Sequence, residues 1–215
     1  MHLFFDLDGT LTDSQPGILK CMRHALTEMG LEVPPDEALI RFIGPPTNDT
    51  FRELLGSSDP ELNLRAVSIY RERFAKLGMF ENSVYPGVVA GLSALCEAGF
   101  PMLVVTSKPE VYANQIIDHF ELRDFFGHVY GSELSGERAH KGELIAHVLA
   151  SEGIASENAW MFGDRLHDIR GAKQNGLRAA GVLWGYGSRD ELTQAGADAV
   201  FADMPELVRA FAAKA

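Results

Sequence analysis

The chain is poor in cysteine. It has two in 215 residues, Cys21 and Cys96, with no Cys-x-x-Cys pair and no Cys/His spacing suited to zinc. That excludes a disulfide framework and a structural zinc module. Both cysteines fall inside apolar helical patterns, and the expectation is two buried free thiols in a reducing compartment. No apolar stretch approaches the roughly 18 residues of a membrane span. Met1-His2-Leu3-Phe4-Phe5 runs straight into Asp6 without a basic start, a long apolar stretch or a cleavage site. The expected location is cytoplasmic, with no membrane partner. Basic residues are also scarce: 19 Lys and Arg against 30 Asp and Glu give a formal charge of −11. Such a chain is not expected to bind nucleic acid, and it can hold an anion only where basic groups are concentrated locally. Repeats and low-complexity tracts are absent, although the last dozen residues are rich in alanine. The 46% apolar and 23% charged content is that of an ordinary globular chain.

What is present is an alternation. Apolar runs of strand length occur at His2 to Phe5, Pro101 to Thr106, Ala159 to Phe162 and Ala179 to Leu183, with weaker ones at Val129-Tyr130 and Ala199 to Phe201. Helical patterns separate them at about 86–98, 110–120, 141–152, 168–175 and 204–213. Strand–helix–strand alternation implies an α/β fold, a Rossmann-like parallel sheet flanked by helices, which binds ligands at the carboxyl ends of its strands. Residues 16–83 break the rhythm with helical patterns and no convincing strand. They are expected to form an inserted helical cap, residues 1–15 and 84–215 the core, and Asn82 to Gly87 the return hinge. A lid placed just beyond the first strand favours an enzyme that shuts out water.

The chemistry-bearing residues stand at the strand ends. Asp6 and Asp8 are two apart at the end of the first run and project the same way, and Gly9 lets the backbone turn away. They make an oxygen-rich site able to hold Mg²⁺, or a plain Asp-rich turn. An EF-hand does not fit, because Gly17 stands where its terminal glutamate belongs. Asp164 and Asp168, four apart after the run Ala159 to Phe162, would share one helical face if a helix begins at Asp164; capping and dipole compensation are the alternative. Two acidic pairs at strand ends of one parallel sheet favour a shared metal. Thr106-Ser107-Lys108-Pro109 reads as a strand-to-helix turn, offering hydroxyls and backbone N–H groups to a phosphate, or simply a helix cap. Lys141, possibly with Lys108, would supply positive charge against four carboxylates and a phosphate.

Together these motifs resemble the haloacid dehalogenase-like hydrolase superfamily over nearly the whole chain. Its four motifs occur in order: Asp-x-Asp-Gly-Thr at 6–10, the hydroxyl of Thr106, Lys141, and Gly-Asp-x-x-x-Asp at 163–168. The insertion resembles that family's subclass I helical cap. Gly-Asp-Arg-x-His-Asp and Leu183-Trp184-Gly185-Tyr186-Gly187-Ser188 are similar to the phosphoglycolate phosphatase and 5′-nucleotidase branch. The resemblance implies a Mg²⁺-dependent phosphomonoesterase acting on a small phosphorylated metabolite. In it, Asp6 is the nucleophile, Asp8 the acid and base, Thr106, Ser107 and Gly9 the phosphoryl-oxygen binders, and Lys141 the neutralising cation. It assigns the metal to Asp6, the backbone carbonyl of Asp8, Asp164 and Asp168. A β-phosphoglucomutase-like mutase is the alternative, since no single residue separates the two. A phosphonatase would need a cap lysine such as Lys20 or Lys76, and a non-catalytic module would have lost one of the motif residues. Specificity is expected from the cap, where Arg41 and Gly44 are candidates, Arg41 with a surface role as its alternative. Trp184 and Tyr186 read as entrance or packing residues, and His167 as an exposed helix-start residue. Monomer and homodimer both remain open.

Overall fold

The computed structural model describes residues 1–212. The strands are β1 (His2–Phe5), β2 (Thr12–Asp13), β3 (Ser83–Val84), β4 (Met102–Pro109), β5 (His128–Ser132), β6 (Ala159–Gly163), β7 (Arg178–Val182) and β8 (Ala199–Phe201). The helices are α1 (Gln15–Glu28), α2 (Asp36–Leu39), α3 (Thr47–Leu54), α4 (Pro60–Arg73), α5 (Val88–Glu97), α6 (Glu110–His119), α7 (Lys141–Glu152), α8 (Leu166–Gln174), α9 (Arg189–Gln194) and α10 (Met204–Ala212). The 204–213 reading thus holds to residue 212, and residue 213 lies outside the described residues.

Six strands form one sheet in the order β5-β4-β1-β6-β7-β8, every pair parallel. Both faces are covered, so the strand interiors are largely apolar rather than alternating with polar residues. Side chains still divide by the period of two. Leu3, Phe5, Met102 and Val104 join one buried cluster, and Phe4, Leu103 and Val105 join the cluster on the opposite face. From β1 the chain passes to β4 on one side, and β6 lies on the other. The strand order therefore reverses around β1, which is where open α/β sheets leave a crevice for ligands.

Helices α1 to α4 lie between β2 and β3, which pair antiparallel, Thr12 with Val84 and Asp13 with Ser83. The two crossings of the chain are thus stapled to each other beside the sheet's carboxyl edge. Helix α1 starts with Pro16 in its first turn and buries Ile18, Leu19, Met22, Ala25 and Leu26. Helix α4 starts with Asp59 accepting from the Glu61 amide (2.9 Å) and continues into a π-helical turn over Phe74–Gly78. Aromatic contacts run from Phe51 through Tyr70 and Phe74 to Tyr112 on α6, joining this helical layer to the sheet layer.

Several details correct the sequence expectations. β2 was not foreseen, and β3 is a short strand within the stretch Asn82 to Gly87 read only as a return hinge. Helix α9 was not foreseen, and α2 has only four residues before a 3-10 turn at Ile40–Phe42. Cys96 is exposed, because α5 buries the stripe Val88, Gly91, Leu92 and Leu95 and leaves the next residue outside. Cys21 is buried as expected, and both thiols are free. Helix α8 begins at Leu166, so Asp164 stands in the loop before it and does not share a helical face with Asp168.

Candidate active site

Three adjacent strands, β4, β1 and β6, end side by side, and their loops converge there. The loop after β1 is wound tightly: the Leu11 and Thr12 amides both donate to the Leu7 carbonyl (2.9 and 3.0 Å), and the Asp6 amide donates to Phe162 of β6 (2.9 Å). Gly9 has a φ of +79°, and a β-carbon there would overlap the Asp164 carboxylate. Only glycine permits both that conformation and that approach. Asp6 and Asp8 are almost fully buried as a result.

Lys141, the first residue of α7, reaches into this loop cluster. Its Nζ lies 2.9 Å from Asp6 Oδ1 and 2.7 Å from Asp168 Oδ1, and donates to the Val105 carbonyl at 2.9 Å. Burial opposes its charge, but Asp168 and Asp6 outweigh burial and hold its pKa above the ordinary lysine value. Asp168, in the first turn of α8, also accepts from the Arg165 amide at 3.2 Å, so it caps its own helix. Asp164 is fully buried; its Oδ2 accepts from the Tyr186 amide (2.8 Å), and its Oδ1 has no hydrogen-bond partner among the described residues. Burial, then Asp168 and Asp6, pushes its pKa well above the usual carboxylate range. Burial also raises that of Asp6, with Lys141 pulling the other way.

Lys108 lies against the second aspartate of β1's loop, its Nζ 2.9 Å from Asp8 Oδ2 and 4.4 Å from the Phe74 ring centre. The remaining oxygen, Asp8 Oδ1, is buried without a partner among the described residues. Four buried aspartates thus face two buried ammonium groups, so carboxyl groups outnumber the cations paired with them, and no salt bridge reaches Asp164 among the described residues. One carboxylate oxygen each from Asp6, Asp164 and Asp168 lie within 4.8 Å of one another. An all-oxygen donor set with this charge deficit and an unpartnered Asp164 oxygen fits a hard divalent cation.

Of the remaining sequence candidates, Thr106 is buried at the same edge and its Oγ1 accepts from the Lys108 amide (3.3 Å). Strand β4 runs on to Pro109, its register broken between Val105 and Pro109, so Thr106 to Lys108 lie in an irregular strand end rather than a turn. Ser107 and Gly44 both line a cavity that opens from Asp8 between the sheet and the helical layer. Arg41 is not brought to this group. Its side chain is 64% exposed, paired with Glu53 (2.6 Å) and stacked on Phe42. His167 is half-buried rather than exposed, and desolvation followed by Arg165 lowers its pKa. Trp184 donates to the Thr10 carbonyl (2.8 Å) and Tyr186 to Asp13 (2.9 Å), so both brace the β1 loop from behind.

Two residues had no role in the sequence reading. Arg165 donates to the Ile43 carbonyl (2.5 Å), the Arg41 carbonyl (3.3 Å) and Glu191 (2.9 Å), tying the acidic loop to the 41–44 turn. Arg71, on α4, donates to the Leu134 carbonyl (2.8 Å) and lines the cavity at Asp8. Arg165 was visible only as a branch signature, and nothing local marks Arg71, whose partner is 63 residues away.

The family model described as haloacid dehalogenase-like hydrolase matches residues 3–182. A protein of Pseudomonas aeruginosa named 5′-nucleotidase is 46% identical over 89% of this chain and 86% of its own length. The Mycobacterium tuberculosis protein named tyrosine-protein kinase PtkA is 39% identical over 87% of this chain, which spans only 64% of that relative. A solved structure described as a predicted phosphatase from Clostridium acetobutylicum superposes with a TM-score of 0.94 at 41% identity, covering 97% of this chain and 96% of its own. The motif residues gathered at one sheet edge agree with these likenesses: the chain is a phosphoric monoester hydrolase and belongs to the haloacid dehalogenase-like hydrolase family.

Proposed function

We propose that the protein hydrolyses a small phosphorylated metabolite, a nucleoside 5′-monophosphate or phosphoglycolate, with Mg²⁺ and through an aspartyl-phosphate on Asp6. The observation that supports this most directly is the buried cluster in which Lys141 sits between Asp6 and Asp168 while Asp164 Oδ1 has no hydrogen-bond partner among the described residues. We assign residues 16–83 to a cap and residues 1–15 and 84–215 to the core.

In the first step a carboxylate oxygen of Asp6 attacks phosphorus and the ester P–O bond breaks. Asp8 gives a proton to the departing oxygen. In the second step Asp8 takes a proton from the water that attacks the phospho-aspartate, which frees phosphate and restores both carboxyl groups. The pairing of Asp8 Oδ2 with Lys108 leaves Oδ1 for this exchange. Thr106, Ser107 and the Gly9 amide hold the phosphoryl oxygens, and Lys141 offsets charge on Asp6 and the phosphoryl group. Asp6, the Asp8 carbonyl, Asp164 and Asp168 would hold Mg²⁺, which supplies further charge neutralisation as a Lewis acid.

Phosphate release from nucleoside 5′-monophosphates, phosphoglycolate and β-glucose 1-phosphate tests the reading. It should require Mg²⁺ and fall more than about a thousandfold in Asp6→Asn. Retained turnover in that variant would overturn the role of Asp6. Glucose 6-phosphate formed without free phosphate would replace the phosphatase with a mutase.

A further inference from the structure

We infer that Arg71 is a specificity-determining residue, its guanidinium binding an acceptor oxygen on the carbon side of the substrate, away from the phosphoryl group. The inference rests on the phosphatase reading and adds to it the recognition of the leaving group. The cavity that opens from Asp8 is where that group must lie, because Asp8 serves the departing oxygen. Its walls are mostly apolar and aromatic, with Ile18, Met22, Phe42, Tyr70, Phe74 and Tyr112 among them. Three charged residues line it: Asp8, Lys108 and Arg71. The first two are paired with each other, and the Lys108 ammonium also covers Phe74. Arg71 is different. It has no carboxylate within ion-pair distance among the described residues, and its Nε is buried without a hydrogen-bond partner. Among the described residues its side chain makes one hydrogen bond, to the main-chain carbonyl of Leu134, across the seam from α4.

A planar guanidinium has five N–H donors in a fixed fork, and leaving a buried one unmade costs free energy. An acceptor on the substrate would meet the accessible donors of the fork, those beyond the buried Nε, while the Leu134 contact holds the side chain in place. A carboxylate, as in phosphoglycolate, and a carbonyl on a nucleobase present the same chemistry, and the flat aromatic walls suit the second. Arg71 also lines the two outer hollows adjoining this cavity, one beside α4 and the other beside Ser132 and Glu133. It therefore stands at the seam through which a leaving group would extend.

The test compares three esters on one enzyme sample: phenyl phosphate, which has no acceptor beyond its ester, phosphoglycolate, and uridine 5′-monophosphate. Native protein, Arg71→Met and Arg71→Lys are each assayed for kcat/KM. Because the ratio between substrates is taken within a sample, the folded fraction cancels. The expected result in Arg71→Met is a loss at least tenfold larger for an acceptor-bearing ester than for phenyl phosphate, mainly in KM. Arg71→Lys should recover part of it. The ester that carries the selective loss places the oxygen on the carboxylate or on the nucleoside. Equal losses on all three esters would overturn the inference and leave Arg71 as a latch to Leu134. Native protein that hydrolyses none of the three would instead count against the phosphatase reading itself.

Discussion

At the residue scale, Lys141 is the group on which the charge balance of the site depends. It is 5% exposed and contacts two buried carboxylates and one carbonyl, so it has no rotamer into water that keeps these contacts. Removing one partner from such a cluster leaves a buried charge uncompensated, which typically costs about 3–5 kcal/mol. Lys141→Met should therefore abolish turnover and lower the urea midpoint, and the loss of stability should depend on pH. Burial raises the Asp6 pKa and Lys141 restrains that rise. Without the lysine the folded-state value climbs further above the unfolded one. A group raised in this way stabilises at low pH and loses that contribution as pH rises through its folded value. The deficit of the variant against native protein should thus grow from acidic to neutral pH. A deficit that is flat or shrinks with pH would show that Lys141 does not carry the charge of Asp6. The position of Lys141 was readable because it opens a helical pattern and the acidic strand ends call for a positive charge. Its partners were not, since Val105 lies 36 residues away and only the parallel strand order brings them together. Arg41 shows the opposite failure: a basic residue beside Gly44 suggests a substrate contact, yet Glu53 and Phe42 on its own helical layer hold it outside.

At the scale of elements, the helical layer is held to the sheet by few polar contacts, and Arg165 makes the best formed of them. It is the residue before α8, and its guanidinium crosses to the carbonyls of the 41–44 turn while Glu191 of α9 holds its other edge. Gly44, with a φ of +108°, curves this turn close over the Arg165 side chain. The same turn supplies Phe42, Ile43 and Gly44 to the cavity at Asp8. Arg165→Met keeps the aliphatic stem but deletes three hydrogen bonds and leaves buried acceptors unpaired, a cost of about 1–3 kcal/mol. The expected outcome is faster amide exchange in residues 40–44, with KM rising more than kcat falls and Arg165→Lys restoring little. Unchanged exchange in that turn would show that Arg165 does not hold it. The strands and long helices were legible because burial on both faces of a parallel sheet and one-sided burial of helices leave strong patterns. The short pieces were not. β2 and β3 are two residues each and α2 is four, too brief for any period to register, although β2 and β3 join the two ends of the insertion.

At the scale of the molecule, the acidic balance and the acidic site make separable claims on metal. With a formal charge of −11 the surface attracts divalent cations without specificity, so a rise in melting temperature with Mg²⁺ does not by itself identify the site. Asp164 distinguishes the two. Its carboxylate is fully buried, one oxygen has no partner among the described residues, and burial together with Asp168 and Asp6 disfavours its charge. The metal-free protein thus folds against this repulsion, and a bound cation would convert the same geometry into stabilisation by mass action. Asp164→Asn preserves shape and the acceptor for the Tyr186 amide while changing the surface charge hardly at all. In chelator, the variant should melt higher than native protein, by a few degrees if about 1 kcal/mol is recovered. In excess Mg²⁺ the order should reverse, because native protein gains the binding contribution and the variant keeps only the unspecific part. Thermal unfolding of both proteins in chelator and in Mg²⁺ gives the four values needed, with no assay of activity. An equal rise in both proteins would place the cation on the surface, and a variant that melts lower in chelator would show that the Asp164 carboxylate is compensated without metal.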